Sequence, residues 1–352
     1  MKASFLPAKS NSNMYVSIMR NAIIEAGLEL TDSNRFVDMK SANIIHLNWY
    51  ENLGNKNFIL QMMAFLKRKM TISTLHMTNH KIVVTLHNKM SHNQNGQRLS
   101  SNLLKWLLKH SDAIIVHCKK ESFDFLHSIG MDSKRIVYIP HPSYCGVYPD
   151  STSCLTYTKD KDELLLLFLG QIKPYKNIEV IIDAANQLKD KKNIRFLICG
   201  SCNSKDYENE LKDRAKSSNI TFDFRFIPDE EISGLVSLAD AVILPYSQES
   251  VINSGVAYLA FSYGKTIIST DFGTAKDLKN SGLIYVYSHR CGTNQSIGLT
   301  KSILSLYDDW NDKELFEKKG KSLKNMMISY HNSEMIGKSL ATLYASLFRR
   351  NK

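Results

Sequence analysis

Apolar residues along this chain come in short unbroken runs. ASFLP (3–7), NIIHLNW (43–49), KIVVTLHN (81–88), AIIVHC (113–118) and RIVYIP (135–140) read as strands, with helix-like spacing over 13–27, 57–76, 98–110 and 119–129 between them. A polar, turn-rich stretch, SYCGVYPDSTSCLTYTKDKDE (143–163), has no apolar period and reads as a linker. The scheme then repeats, with strands expected over 164–170, 194–200, 222–227, 241–246, 265–270 and 283–287 and helix from about residue 294 onward. Strands that are apolar on successive residues are those covered by helices on both faces. The expected fold class is therefore α/β: two doubly wound, Rossmann-like domains facing a central cleft.

Length and composition fit that picture. A chain of 352 residues, 43% hydrophobic and 22% charged, can build two separate cores. No window is apolar enough to span a bilayer, and the start, MKASFLPAKSNSN, turns polar too early for a signal peptide. Six scattered cysteines are read as reduced thiols in cytoplasm. The net charge of +11 is concentrated: residues 1–160 hold 19 Lys+Arg against 11 Asp+Glu, and nine of the eleven histidines. Such an excess suits a polyanionic partner, either a phosphorylated substrate or an anionic membrane face. Nucleic acid is disfavoured, because basic residues are not interleaved with aromatics on one face.

Ligands in doubly wound folds bind beyond the carboxyl ends of the strands. There the second half carries LGQIKPYKN (169–177), where Gly170 permits a tight turn and Lys173 and Lys176 precede a helix start. After its fourth strand comes LPYSQESVINSG (244–255), in which Ser254 is a ready N-cap and Gly255 lets a ligand come close to the chain's own backbone. Two anion-ready helix starts plus lysines on one rim suggest a nucleotide diphosphate. In the first half His46, His87 and His141 fall within or just after strands, with Trp49, Asn88 and His92 nearby, a set suited to sugar or phosphate. The CxxC at Cys199–Cys202 closes a strand where a reactive pair would open a helix, and is read as structural. The acidic pair Asp160 and Asp162 precedes a strand, the wrong place for a metal-binding DxD.

FLGQIKPYKN, LAD–AVILPYSQES–SGVAYLAFSYGKTIIST, IIHLNWYE, VVTLHNKMSH, HSDAIIVHC and IVYIPHPSY together resemble ordered landmarks of GT-B glycosyltransferases, particularly the large retaining family 4. The resemblance runs from residue 3 to the terminal helix. It implies an acceptor-side domain over 1–150, a linker over 151–163, a nucleotide-sugar domain over 164–325, and a terminal helix, 326–352, packed back on the first domain. By the same resemblance Lys176 holds the donor diphosphate and the backbone at Ser254–Gly255 binds its phosphate oxygens. Ile227 and Pro228 line the base pocket, His87 sits beside the donor sugar, and Asn11 and Asn13 face the acceptor.

This chain departs from the family pattern twice. The family arginine after Gly170 is Gln171, leaving Lys173 to supply charge. The family's two glutamates, eight residues apart, fall at Val251 and Leu259, with Glu249 two residues off register. Ribose contact then passes to Tyr246, Ser247 or Ser250, in a rim that also holds Asn253. The implied activity is transfer of a sugar from a UDP- or GDP-sugar to a hydroxyl of a glycan or polyprenyl-linked acceptor, with retention and without metal or cofactor. It would take place in cytoplasm, with the inner face of the plasma membrane as a candidate surface. The alternatives are a GT-B sugar-nucleotide epimerase and a degenerate, non-catalytic binding protein.

Overall fold

The computed structural model describes residues 1–10, 13–54, 57–89, 97–150, 157–247, 251–288 and 295–349. The chain divides into two compact units, one of Met1–Pro142, Glu249–Asn253 and Tyr330–Lys352, the other of Ser143–Gln248 and Ser254–Ser329.

The first unit runs β1 (Lys2–Leu6), α1 (Met14–Glu25), β2 (Glu29–Leu30), α2 (Phe36–Lys40), β3 (Ile44–Asn48), α3 (Phe58–Met77), β4 (Lys81–Leu86), α4 (Gln97–His110), β5 (Ala113–Val116), α5 (Lys120–Ser128) and β6 (Ile136–Tyr138). Its six strands are parallel, in the order β2-β1-β3-β4-β5-β6. Successive side chains of a strand leave on opposite faces, so each apolar run feeds two cores. Ile45, Leu47, Val84 and Leu86 pack with Ile72, Leu75, Leu103 and Leu107 of α3 and α4. Phe5, Ile44, Val83 and Ile115 pack on the other face. β2 and α2 were not expected. The dipeptide Glu29–Leu30 is too short for a pattern; it pairs with β1, and Leu30 packs against the core.

The second unit runs β7 (Leu164–Leu169), α6 (Ile178–Gln187), β8 (Ile194–Cys199), α7 (Lys205–Arg214), β9 (Ile220–Asp223), α8 (Asp229–Leu238), β10 (Ala241–Leu244), α9 (Gly255–Ser262), β11 (Thr266–Thr270), α10 (Gly273–Leu278), β12 (Tyr285–Tyr287), α11 (Gln295–Asn311) and α12 (Lys313–Tyr330). The parallel sheet has the order β12-β11-β10-β7-β8-β9. Asp240 fixes one end of β7: its carboxylate accepts from Leu165 N at 2.8 Å and pairs with Lys159 at 2.6 Å. The last helix, α13 (Ser333–Arg349), belongs to the first unit and lies on α1, where Ile336, Leu340 and Tyr344 complete the core around Tyr15 and Met19.

Candidate active site

In the second sheet the strand order reverses between β7 and β10, and a doubly wound fold opens a crevice where that happens. The segment after β7 carries Gly170, Lys173 and Lys176. The segment after β10 carries Tyr246, Ser254 and Gly255. Gly170 and Gly200 hold φ of +129° and +146°, and a Cβ on Gly200 would land on the Gly170 carbonyl. That close approach turns the chain so that Lys176 Nζ comes within 3.2 Å of where a Gly170 Cβ would stand. Asn177, itself left-handed at φ 53°, donates to Pro245 O at 2.8 Å and ties the lysine turn to the β10 segment.

Lys176 lies with its ammonium 5.3 Å from the Tyr246 ring centre and 5.7 Å from that of Phe168. Burial, with the like charge of Lys173 adding, pushes its pKa down to about 8. No ion pair of the described residues engages Lys176. A partly dehydrated cation without a counter-charge is a strong anion site, because an incoming phosphate relieves the cost of its burial.

Ser254 caps α9, its hydroxyl accepting from Ala257 N at 3.4 Å, and it also bonds the buried Tyr246 hydroxyl. Burial raises the Tyr246 pKa, so the phenol stays protonated. A Cβ on Gly255 would stand 3.0 Å from the Tyr144 hydroxyl, so any side chain there would press on that ring. The lysine turn, Tyr246 and the α9 start therefore form one connected patch. Ile227 is buried, and Pro228 opens α8 beyond β9, two strands from β7 and thus about 10 Å away across the sheet. Gln171 is exposed, and Lys173 and Ser247 are part-buried.

The segments that follow β3, β4, β5 and β6 converge on Tyr15. Its ring lies 5.0 to 5.5 Å from Trp49, His87, His117 and His141. Hydrogen bonds assign the tautomers. His117 Nδ1 donates to Ile139 O at 2.8 Å, so its Nε2 accepts from the Tyr15 hydroxyl at 2.9 Å. The Asn48 amide nitrogen donates to Leu6 O at 3.0 Å, which turns its oxygen to accept from His87 Nε2 at 3.0 Å. His87 stacks on Trp49 at 3.9 Å, and among the described residues nothing bonds its Nδ1. Burial holds His87 and His141 well below the usual histidine range and His117 at about 4. A neutral imidazole with one open lone pair accepts a hydroxyl hydrogen and does not attract phosphate.

His46 does not belong to this group. It lies inside β3, wholly buried, with Nδ1 2.6 Å from the Tyr344 hydroxyl and Nε2 2.6 Å from that of Thr85, and burial pushes it down to about 3. Asn13 caps α1 by accepting from Tyr15 N at 3.1 Å, and Asn88 pairs through its backbone with Val251. Asn11, His92, Glu249 and Ser250, with residues 151–156 of the expected linker, lie outside the described residues. Asn253 is part-buried beside the start of α9. Tyr15, Asn48 and His117 were missed as site residues. His117 ends the strand AIIVHC and carried the same signal as His87.

A cavity of about 340 Å³ lies at the reversal point of the first sheet, between β1 and β3, lined by Leu6, Pro7, Asn34, Asn48, Trp49 and Arg68 among others. A second, of about 370 Å³, lies beside β12 and includes Asp271 and Lys279, already paired at 3.2 Å. In the CxxC, Cys199 is buried at the end of β8 and burial pushes it up to about 12, while Cys202 Sγ lies 3.2 Å from Ser204 O.

The two sheets and their switch points define a GT-B protein. The family model for glycosyl transferases group 1 matches residues 156–323. A GDP-mannose:glycolipid 4-beta-D-mannosyltransferase of Xanthomonas campestris pv. campestris is 24% identical over 79% of this chain and 76% of its own. A D-inositol 3-phosphate glycosyltransferase of Corynebacterium efficiens is 26% identical over 41% and 37%. Among solved structures, sucrose-phosphate synthase of Thermosynechococcus elongatus superposes with a TM-score of 0.73 at 16% identity, covering 99% of both chains. Anabaena HepE, solved with UDP and glucose, superposes at 0.66 and 14%, covering 98% of this chain and all of its own. The chain has the GT-B fold, and just under half of it matches the group 1 glycosyl transferase model.

Proposed function

We propose that the protein transfers a sugar from a UDP- or GDP-sugar to a hydroxyl of a glycan or polyprenyl-linked glycan during surface polysaccharide synthesis, in the cytoplasm and peripherally at the inner membrane face. The observation that carries this reading is Lys176, a dehydrated cation with no ion-pair partner among the described residues, at the sheet's switch point beside the capped start of α9. Relatives named for GDP-mannose and glycolipid, and a structural neighbour bound to UDP-glucose, support the donor and acceptor classes.

In the proposed reaction the acceptor oxygen bonds to the sugar's anomeric carbon as the bond to the diphosphate breaks, and the acceptor's hydroxyl proton leaves with the diphosphate. Negative charge grows on the leaving diphosphate, and Lys176, Lys173 and the amides of α9 neutralise it without metal. The base lies toward Ile227 and Pro228, and the ribose toward Tyr246 and Ser247. His87 accepts a sugar hydroxyl at Nδ1, while Tyr15 and Asn48 hold its ring. Trp49, Asn88 and His141, with Asn11, Asn13 and His92, serve the acceptor. Retention rests on the family resemblance. Because the Xanthomonas relative is named for a beta-linked product, anomeric NMR of the product is the deciding measurement.

Thermal-shift screening against UDP, GDP and their sugars tests the donor. Turnover by Lys176→Ala tests the diphosphate role, and near-wild-type kcat overturns it. A non-catalytic binding protein is favoured by one observation, the apolar Val251 and Leu259 at the family's glutamate positions. Donor binding without turnover across a panel of glycan acceptors would establish it, and product formed without any acceptor would mark an epimerase.

A further inference from the structure

Helix α3 carries two apolar stripes on opposite sides. Leu75 and Ile72, with Gln61, are buried against the unit's own core. On the other side Ile59, Met63, Leu66, Met70 and Met77 are 51% to 85% exposed. At about 100° per residue these five side chains fall within about 40° of one line down the helix, and Lys67 and Lys69 flank that line about 80° to either side. Two opposed stripes cancel in a periodicity scan, so of this helix the sequence marks only the basic segment FLKRKM (65–70) as a candidate for an anionic surface. An apolar row of this length left in water marks a contact surface.

Charge identifies what the surface meets. From Asn52 to Ser111 the chain has nine Lys or Arg and not one Asp or Glu, sixty residues bracketed by Glu51 and Asp112. Helix α4, packed against α3, adds exposed Lys105 and Lys109, and Lys69 rests 5.1 Å from the ring centre of Trp106. A second copy of this chain would bring the same acid-free face against itself, like charge on like charge. Nucleic acid would match the lysines but give the methionines no apolar phase. A row of Met, Leu and Ile rimmed by lysines matches a bilayer interface, where the stripe enters the acyl boundary and lysine stems reach back to phosphates. No described helix is long and apolar enough to cross a membrane. The terminal helix α13, also amphipathic with a basic end, spends its apolar side on α1.

We propose that the outward stripe of α3, with Lys67 and Lys69, docks the enzyme on the surface of an anionic lipid leaflet, the helix lying in the headgroup plane. The inference deepens the peripheral placement in the proposed function, and it is independent of the donor chemistry.

Flotation of the full chain with vesicles tests it, using phosphatidylcholine alone or with about one third phosphatidylglycerol. The chain is expected to float with the anionic vesicles and to stay behind with the neutral ones. Ile59→Gln/Met63→Gln/Met70→Gln should lower partitioning about a hundredfold. Lys67→Gln/Lys69→Gln should lower it about thirtyfold. All five positions lie outside the core, and unchanged melting temperatures will verify that the variants fold. The proposal is overturned if the wild type does not float, if the triple variant floats equally well, or if the triple variant instead dissolves a dimer seen by sedimentation without lipid. Donor turnover with a soluble acceptor separates the two readings. Flotation without turnover refutes the transferase reading alone, and turnover without flotation refutes the docking alone.

Discussion

Replacing Lys176 with methionine should make the ligand-free protein more stable and the enzyme worse. Methionine keeps the stem packed on Phe168 and Tyr246 and removes the charge. Burial has moved the ammonium from an ordinary 10.5 to about 8. At about 1.4 kcal/mol per unit, that is a folding cost near 3 kcal/mol at neutral pH. The lost cation–π contacts return about 0.5–1 kcal/mol each. The difference leaves Lys176→Met more stable by about 1–2 kcal/mol, a rise of about 2–8 °C for a unit of this size. The sign follows from linkage. A base with a depressed folded pKa carries its full cost below about 8, and sheds it as pH rises toward 10.5. The advantage of the variant should therefore fade over that window. A charged contact to phosphate is worth about 1.5–3 kcal/mol, so kcat/KM should fall about 10- to 150-fold. Wild-type donor affinity should weaken above pH 8, while that of the variant stays flat. Melting curves at pH 7 and 10, with donor kinetics at each, are the assay. A variant that melts lower at pH 7, or turns over donor like the wild type, refutes the reasoning.

Acid should unfold the first unit early. His46 and His117, near 3 and 4 when folded, take up protons on unfolding, so stability falls as pH drops below about 6.5 and is measurable by circular dichroism. Gly200→Ala should cost more than about 3 kcal/mol, because its Cβ collides with the Gly170 carbonyl; soluble protein with an unchanged melting point would contradict this. His87→Ala should lower kcat about a hundredfold with the fold retained, as judged by near-ultraviolet dichroism.

The inner parallel strands were legible because each is buried on both faces, and short unbroken runs such as LLLLFL and AVIL between turn residues fit little besides a covered strand; the half-buried strand β9, expected over 222–227, lies instead at Ile220–Asp223. The Lys176 turn was legible from a glycine, a proline and two lysines between a strand and a helix. Three things were not. Strand β2 is two residues long, too short to leave a period in the sequence. Tyr15, the ring around which the histidines gather, sits in a helix start that reads as ordinary apolar spacing. His46 shares a strand and a residue type with site candidates, and only the hydroxyls of Tyr344 and Thr85, distant in sequence, reveal it as core.

The two missing glutamates can be argued from packing. If the chain were a decayed copy of an enzyme that once held them, restoring one should recover activity at little cost. Leu259 stands in α9, where every residue from Ala257 to Ser262 is buried. A carboxylate there would lose its water and find no partner, costing about 3 kcal/mol or more. Leu259→Glu is therefore expected to lower stability sharply and leave donor affinity no better. That outcome means the core has been rebuilt around leucine and that the pocket recognises ribose by hydroxyls near Tyr246. A stable Leu259→Glu protein with raised turnover would show instead that the position still opens on the donor.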